Sequence, residues 1–480
     1  MTATFRNGLP RYEILSEDAL EAIDGGWRRL VSEIGVEFDH PRALELFAGA
    51  GQAVAGNVVR LDPEFVLEQA AAAPPEFTVR ARNPGRAIAI GGEHMCFTAV
   101  QGPPFVREGD ERRDAVFADL ERFIRLSHVF AEIDIPGSVS AEPADLPLDS
   151  RHLDMVRAAL VLSDKPLLGS QISLDAVEDS LALARIAFGD ELAEPSVLSN
   201  VNVNSPLRYD VRMLDALIAY AAAGQPVLIT PFLLMGAMSP VTIPSALVQQ
   251  LAEVLAGVAL AQLVRPGTPV VLGSFLSHTD MQSGSPGFGG PEAAIGLFCS
   301  GQLARRLGLP WRSGGGGLTT SQTVDAQAAY ESLHTLLPAF LAGANVVVHA
   351  AGWLEGGLVS CYEKFIVDIE LVRMLRHEFT PLEIDDDSLA FGAHDEVRHG
   401  GHFLGAAHTL ERFRECFYRP LLSSTENFER WTRNGSLDAA DRAALLWREA
   451  LERYEQPALA VDVREGLDEY VDRRRRELGD

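Results

Sequence analysis

The sequence predicts an α/β fold, a TIM (β/α)8 barrel, because one unit recurs eight times along the chain. Each unit has a short apolar stretch, a polar or glycine-rich loop and an amphipathic helix. The predicted strands begin roughly 30–43 residues apart, the length of a strand, a helix and two loops. They begin near Met95, Ala131, Lys165, Ser196, Pro226, Pro269, Pro310 and Asn345. In such barrels the active site lies in the loops that follow the strands.

The chain has 480 residues, more than the ~250 of a bare barrel. We therefore predict an N-terminal helical and small β extension at 1–92, the barrel at 93–378, and a lid loop with helices at 379–480. A helix is predicted over 16–33, with Ser16 as its cap. Residues 57–92 instead contain short β-like stretches, VVRL, FTVRAR and RAIAIGG, separated by Pro and Gly turns.

Seven barrel helices are visible in the sequence as amphipathic segments, several of which begin at Asp, Ser or Pro. They are predicted at 114–126, 150–162, 175–187, 210–223, 244–264, 291–307 and 324–341. The C-terminal DRRRRELGD is interpreted as a solvated helix end, because one short basic run in so acidic a chain is weak evidence for a binding patch.

Composition restricts the class of protein. A net charge of −26 indicates solubility and disfavours binding to nucleic acid. The four cysteines are scattered without CxxC spacing, which is typical of reduced thiols in a cytoplasmic protein. The N-terminus lacks the pattern of a signal peptide. The most apolar helix carries Gln249, Gln250, Glu253 and Gln262, which favours a barrel helix over a membrane span.

Strand four places Asn200, Asn202 and Asn204 in alternation, hence on one face of the strand. We favour the barrel lumen for that face, because amides buried unpaired against a helix layer are unfavourable. These residues then line a site with Asn202 and Asn204 near the top. The alternative is a structural plug in which the amides hydrogen-bond to neighbouring strands.

The loops after strands five and six are unusually long for this type of connection. The second contains His278, Asp280 and Ser283 before a Gly-rich segment that ends at Pro291. His278 and Asp280 are candidates for a catalytic pair. A surface lid without chemistry explains the same residues equally well.

Strand seven is followed by Gly314, Gly315, Gly316 and Gly317. Four glycines allow close approach of another backbone or of a bulky planar ligand. A phosphate-binding loop is the alternative in barrels. It is weaker here, because no Lys or Arg follows the glycines and Arg312 precedes them.

Strand eight ends at His349, the position in a barrel where site residues are expected. Trp353 follows, and Tyr362 and Glu363 open the next helix. An aromatic ring beside a carboxylate suits a quaternary ammonium ligand, since ring face and anion both attract a cation that cannot donate a hydrogen bond. For each aromatic residue alone, ordinary packing is the alternative.

The tail contains His399, His402 and His408 within RHGGHFLGAAHT. We predict no metal, because zinc sites usually add Cys or a carboxylate at fixed spacing. The glycines among these histidines instead favour a loop. The prediction is a lid, with His399 and His402, folded over the barrel mouth.

Five stretches together resemble the trimethylamine methyltransferase family over about residues 25–414. They are NVNSPL, ITPFLLMGAMSPVT, GGGGLTTSQTVDAQAAYES, GANVVVHAAGWLEGGLVSCYEKFIVD and GGHFLGAAHT. The resemblance implies a cytoplasmic TIM-barrel methyltransferase that passes a methyl group from an amine to cobalamin. It also implies that this cobalamin, a corrinoid in its cob(I)alamin state, is carried by a separate protein. The chain has no DxHxxG motif of its own.

The archaeal trimethylamine enzyme of this family carries pyrrolysine, whereas this sequence contains only the ordinary twenty residues. It resembles the pyrrolysine-lacking branch, which includes glycine betaine methyltransferases. A quaternary amine already has a neutral amine as leaving group, so the protein need only align the methyl group with Co(I). The resemblance therefore implies a quaternary amine substrate, glycine betaine first, with no general acid.

The resemblance implies that the candidate site residues bind the substrate or the cofactor. Trp353, Tyr362 and Glu363 would surround the cation. His349, Asn202 and Asn204 would hold the carboxylate, with Asp280 nearby. The loop from Gly314 to Gly317 would give the corrin ring room.

Other functions remain open at this point. They are the same chemistry on proline betaine, carnitine or choline, and a non-catalytic paralogue that binds a betaine. An aldolase-type barrel is disfavoured, because Lys165 starts a strand and Lys364 lies within a helix. The expected partners are a small quaternary amine and a corrinoid protein, with a homo-oligomer possible and without nucleic acid or membrane.

Overall fold

The computed structural model describes residues 4–479, and its central element is a sheet of parallel strands that curls into a TIM barrel. The eighth strand pairs with the first and so closes the curl. The second strand position is a single bridge between Thr98 and Ile135. The other seven strands are His94–Ala99, Leu167–Leu168, Val197–Val203, Val227–Pro231, Val270–Gly273, Trp311–Ser313 and Val346–Ala351. The predicted fold and strand order are confirmed.

Eight helices surround this sheet. They are Phe117–Val129, Arg151–Leu162, Leu174–Phe188, Val211–Ala222, Ile243–Val264, Pro291–Arg306, Ala326–Ala342 and Tyr362–Glu378. The side chain of Asp210 caps one of them by accepting a backbone N–H bond, as its position at the predicted start of that helix indicates. Asp325 caps another in the same way, one residue after the predicted start. Ile243–Val264 is long and apolar enough to cross a membrane, but most of it is buried in the barrel layer.

The first barrel helix starts later than predicted, at Phe117 instead of Asp114. Asp114 belongs to a hairpin of Phe105–Glu108 and Glu111–Asp114 that the sequence analysis did not identify. This hairpin lies in the loop after the first strand and pairs with Val359–Cys361 beyond the eighth strand. It therefore builds up the rim at the carboxyl ends of the strands.

The N-terminal extension is more helical than predicted. Glu17–Arg29 is capped by Ser16 as expected and continues into a π-helical turn, Leu30–Ile34. Two helices, Pro41–Gly49 and Pro63–Ala71, were missed. A small sheet joins the extension to the barrel. Its strands are Val36–Phe38, Ala53–Ala55, Val58–Arg60 and Arg208–Tyr209.

A hairpin of Glu76–Val79 and Ile88–Gly91 lies at the amino end of the barrel and continues into the first strand. Its apolar side chains pack with residues from the lower part of the lumen. This cluster contains Phe77, Val79, Ile88, Ile90, Cys96, Ile135, Leu198, Leu228, Val271, Val346 and Val348. Within residues 4–479, these side chains fill the amino end of the lumen and leave the carboxyl ends of the strands as the side from which a ligand approaches.

The C-terminal segment forms an outer layer over the barrel helices. Its helices are Phe391–Val397, Ala407–Arg412, Phe428–Arg433, Ala439–Glu452 and Val461–Leu478. Trp447 from this layer stacks on Tyr362 of the eighth barrel helix.

Candidate active site

The register of the strands places a polar layer directly above the apolar filling of the barrel. Leu198, Leu228 and Val271 face the lumen. Two residues further along the same strands, the luminal positions are therefore Asn200, Thr230 and Gly273. Gly273 pairs with Arg312, which places the arginine on the same face. The hydroxyl of Thr230 donates to Asn200 Oδ1 over 3.1 Å.

Arg312 is the cation of this layer and is only 2% exposed. Its Nη1 donates to the carbonyl oxygen of Ser274 over 2.9 Å, and its guanidinium carbon lies 5.4 Å from the centre of the Phe275 ring. Its Nε is buried without a hydrogen-bond partner. Burial alone lowers the pKa of Arg312 to about 9.

Aromatic rings form a cluster just above this arginine. Phe275 follows strand six and lies 4.9 Å from Phe232, 5.6 Å from Phe288 and 6.2 Å from Trp353, measured between ring centres. The four rings come from the loops after strands five, six and eight. Phe232 is partly exposed, whereas the other three are buried. We call these four rings the aromatic cluster.

His349 joins the aromatic cluster to Arg312. Its ring centre lies 4.6 Å from that of Trp353 and 5.7 Å from that of Phe275. Its φ of +61° is unusual for a residue with a side chain, and such backbone strain concentrates at functional sites. The backbone N–H of Gln101 donates to Nδ1 over 3.1 Å, so the ring hydrogen resides on Nε2.

The imidazole of His349 is neutral near pH 7. Burial first, and then the nearby Arg312 charge, hold its pKa well below the usual range. His349 and Trp353, both predicted as site residues, are thus brought together at the barrel mouth. A neutral imidazole can donate one hydrogen bond to a ligand but supplies no proton for catalysis.

The four glycines after strand seven are all buried against protein. A Cβ on Gly314 would lie 2.6 Å from the Phe275 backbone, and one on Gly316 would overlap the carbonyl oxygen of His349. Gly317 lies against Asp368, which is paired with Lys364. This packing gives the corrin-ring interpretation no support. The alternative, close approach of another backbone, accounts for the glycines.

The asparagines of strand four divide between two positions. Asn200 donates to Asn202 Oδ1 over 2.9 Å, and Asn202 is exposed at the mouth, as its alternation with the luminal Asn200 predicts. Asn204 lies beyond the strand, where it accepts from the backbone of Asp210 and donates to its carboxylate. The side chain of Asn204 therefore stabilises the loop after strand four and does not line the barrel mouth.

Tyr362 and Glu363 lie away from the aromatic cluster, contrary to expectation. The Tyr362 ring stacks on Phe123 and Trp447, and its hydroxyl donates to Asp119 over 2.7 Å. Glu363 accepts from the indole N–H of Trp447 over 3.0 Å. Both residues start a helix whose first turn is covered by the C-terminal layer, so they serve packing.

The remaining candidates are surface residues. Asp280 is exposed and accepts the backbone N–H groups of Gln282 and Ser283, which stabilises a turn and lowers its pKa. His399 and His402 are exposed. Their segment follows the carboxyl end of the eighth barrel helix, opposite the mouth, and returns to that helix where Tyr418 contacts His377. This position gives the lid prediction no support. No group of metal-ligating side chains is found in residues 4–479.

Sequence reasoning missed Arg312 as a site residue, together with Phe232, Phe275 and Phe288. Arg312 could have been identified from its pairing with the luminal Gly273, but this pairing is known only once the register between strands six and seven is known. The three phenylalanines belong to two loops whose paths the sequence does not define.

The family comparison agrees with this architecture. Residues 1–479 match the family described as trimethylamine methyltransferase. A glycine betaine methyltransferase of Desulfitobacterium hafniense (strain Y51) is 42% identical, over 98% of this chain and 99% of that relative. A proline betaine:corrinoid methyltransferase of Eubacterium limosum is 31% identical, over 75% of this chain and 76% of that relative.

A solved structure supports the fold. The monomethylamine methyltransferase of Methanosarcina barkeri superposes with a TM-score of 0.56 at 10% identity, over 93% of this chain and 90% of that one. At that identity the likeness concerns the fold alone. The sequence match, by contrast, spans the whole barrel and both extensions. The chain therefore belongs to the trimethylamine methyltransferase family and is a methyltransferase built on a TIM barrel.

Proposed function

We propose that this enzyme transfers an N-methyl group from a quaternary amine, glycine betaine first, to Co(I) of a corrinoid carried by a separate protein. The observation that carries the proposal is the aromatic cluster at the carboxyl ends of the strands. Ring faces attract a quaternary ammonium, which has no hydrogen to donate. The relatives named for glycine betaine and proline betaine support the same class of substrate.

The reaction is a direct displacement. The reduced corrinoid of the partner protein would supply the electron pair that takes the methyl group. The C–N bond of the donor would break, and its electron pair would stay on nitrogen as dimethylglycine leaves. No proton is moved, which suits a site whose histidine is neutral. The chain's own task is to orient the methyl group toward the mouth and to exclude water from the donor.

The roles of individual residues follow from the geometry. Trp353 and Phe275 would contact the ammonium group, with His349 donating from Nε2 to the ligand. Asn202, exposed at the rim, would contact either the donor or the incoming corrinoid protein. Asn204, Asp280, Tyr362 and Glu363 would act indirectly, because each is engaged elsewhere. The free cysteines suit a cytoplasmic enzyme.

The test is methyl transfer by the purified protein with a reduced corrinoid protein as acceptor. We expect glycine betaine to yield dimethylglycine and methylated corrinoid in equal amounts. The Trp353→Leu variant should lower kcat/KM by at least about 10-fold, since it removes the largest ring of the cluster. Trp431→Leu, which alters a tryptophan of the C-terminal layer, is the matched control and should change little.

Other outcomes would decide against the proposal. Transfer from trimethylamine alone would refute a quaternary amine substrate. Binding of glycine betaine without any transfer to several corrinoid proteins would favour the non-catalytic betaine-binding paralogue. Preference for proline betaine, carnitine or choline would keep the chemistry and change the substrate.

A further inference from the structure

We infer that Arg312 binds the carboxylate of the substrate, and that the site therefore selects quaternary amines that carry a carboxylate close to the ammonium. This inference rests on the proposed function and specifies its substrate class. It also assigns the arginine, which the sequence analysis placed only beside the glycine loop, a direct contact with the donor molecule.

Arg312 is a buried charge without an anionic partner among residues 4–479. A guanidinium offers five N–H donors, and burying it without an anion is strongly unfavourable. Arg312 makes one hydrogen bond, to the carbonyl oxygen of Ser274, and its Nε has no partner. Buried polar groups are normally satisfied, so such an exception points to a ligand that is bound during function.

The other buried cations of residues 4–479 show the contrast. Lys364 is fully buried but is paired with Asp368 and also donates to Ser332 Oγ over 2.8 Å. Lys165 donates to three carbonyl oxygens, those of Ser127, Phe130 and Ile133. The ammonium groups of both lysines are therefore satisfied within the protein, and both lysines have structural roles. Of these three cations, Arg312 alone lacks the ion pair or the set of hydrogen bonds that satisfies a structural side chain.

Arg312 also lies close to the aromatic cluster. The guanidinium carbon lies 5.4 Å from the centre of the Phe275 ring, which is itself the centre of the cluster. A ligand that pairs with Arg312 and also contacts the rings must carry its two charges close together. One methylene between carboxylate and ammonium, as in glycine betaine, fits this separation better than the longer chain of carnitine.

The arginine and the rings lie at different depths along the lumen. Arg312 lies within strand seven, above the apolar filling, whereas Trp353 and Phe288 lie in loops beyond the strand ends. A carboxylate held by Arg312 therefore points inward, and the ammonium points toward the mouth. The donor methyl group then faces the side from which an acceptor on another protein can approach. His349, beside both groups, can add a hydrogen bond from Nε2 to the carboxylate.

The test compares two ligands that share an ammonium and differ in the carboxylate. Glycine betaine and tetramethylammonium are titrated calorimetrically into the wild-type enzyme and into Arg312→Met. We expect the wild-type enzyme to bind glycine betaine more tightly. In Arg312→Met, glycine betaine should lose about 100-fold or more in affinity, while tetramethylammonium stays within about threefold, since only the charge-assisted pair is removed.

The melting temperature distinguishes an arginine that binds a ligand from one that has a structural role. Replacing a buried unpaired cation by an apolar side chain should raise the melting temperature of the ligand-free protein. A structural arginine would lower it. Arg312→Lys, which keeps the charge but loses the two-pronged geometry, should weaken glycine betaine by about 10-fold. The matched control is Arg306→Met, which removes an exposed arginine paired with Glu17 and should leave both affinities unchanged.

The outcomes distinguish the inference from the proposed function. Equal affinity of the wild-type enzyme for the two ligands would overturn the role of Arg312 and leave the aromatic cluster intact. Equal loss of both ligands in Arg312→Met, with a lowered melting temperature, would overturn it as well and make the residue structural. If neither ligand binds and no methyl transfer occurs, the proposed function itself fails.

Discussion

At Gly316 the loop after strand seven touches the backbone of strand eight, and this contact determines where His349 lies. A Cβ at this position would overlap the carbonyl oxygens of Val348 and His349. Because these backbone atoms cannot move away as the end of a flexible side chain can, Gly316→Ala should displace the end of strand eight. We expect a loss of about 1–3 kcal/mol in unfolding free energy, together with weaker binding of glycine betaine.

The control is another glycine with space around it. Gly25 lies in the exposed middle of helix Glu17–Arg29, and a Cβ added there would meet no atom within 4 Å. Gly25→Ala should stabilise the protein by about 0.5–1 kcal/mol, since alanine favours the helix. Chemical denaturation measures both variants. If Gly316→Ala were as stable as Gly25→Ala and bound ligand normally, the close-approach account of the glycine loop would be wrong.

Single residues were predictable where they follow from strand periodicity. The alternation of Asn200 and Asn202 depends only on a local rule. His349 was named because it lies near the carboxyl end of strand eight, but its φ of +61°, which interrupts the alternation after Val348, could not be read from the sequence. Arg312 was not predictable in this way, because its luminal position depends on which residue of strand six it faces. Tyr362 and Glu363 were misplaced for a related reason, since the helix Ala439–Glu452 that covers them lies far along the chain.

At the scale of elements, the C-terminal helix Val461–Leu478 is held to the barrel by buried apolar side chains and several ion pairs. Among its ion-pair partners on the barrel, the carboxylate of Asp179 is the one that is buried. Three side chains donate to it over 2.7–2.8 Å: His152, Tyr470 and Arg474. Burial alone would raise the pKa of Asp179, but these hydrogen bonds keep it below its usual value. The carboxylate is therefore ionised at neutral pH and joins two barrel helices to the C-terminal helix.

Asp179→Asn should weaken the attachment of this helix, although the ion pairs Arg475–Asp154 and Asp468–Arg157 remain. Removing the charge leaves Arg474 without its buried partner, which is expected to lower the unfolding free energy by about 3 kcal/mol. Amide hydrogen exchange should accelerate in Val461–Leu478 before it accelerates in the barrel strands. Asp175→Asn provides the control, because Asp175 contacts the same arginine from a largely exposed position. Its effect should stay below about 1 kcal/mol, and equal effects of the two variants would contradict this assignment.

Elements with strong periodicity were predicted well, and short elements were not. The predicted starts of the strands and most helix boundaries lie within a few residues of those observed, because each barrel unit repeats the same pattern. The helices Pro41–Gly49 and Pro63–Ala71 escaped detection because each is only nine residues long. The hairpin Phe105–Glu108 and Glu111–Asp114 escaped because its second strand consists of charged residues, ERRD.

At the scale of the whole molecule, the two ends of the barrel have different tasks. The hairpin of Glu76–Val79 and Ile88–Gly91 fills the amino end with apolar side chains, which stabilises the sheet and closes that route to solvent. The carboxyl end carries the polar layer and the aromatic cluster. This separation allows an unpaired arginine at one end, because the destabilisation it causes is offset by the packing at the other.

The net charge of −26 acts on the whole molecule and should make its stability depend on salt. Uncompensated like charges repel one another in the compact state more than in the unfolded chain. Salt shortens the range of that repulsion to about 10 Å at 0.1 M. We therefore expect the melting temperature at neutral pH to rise as NaCl increases from about 20 to about 300 mM. The same titration near the isoelectric point of about 4.9 is the control, since little net charge remains there to screen. A fall in melting temperature with salt at neutral pH would mean that the surface ion pairs, which salt weakens, outweigh the excess of carboxylates.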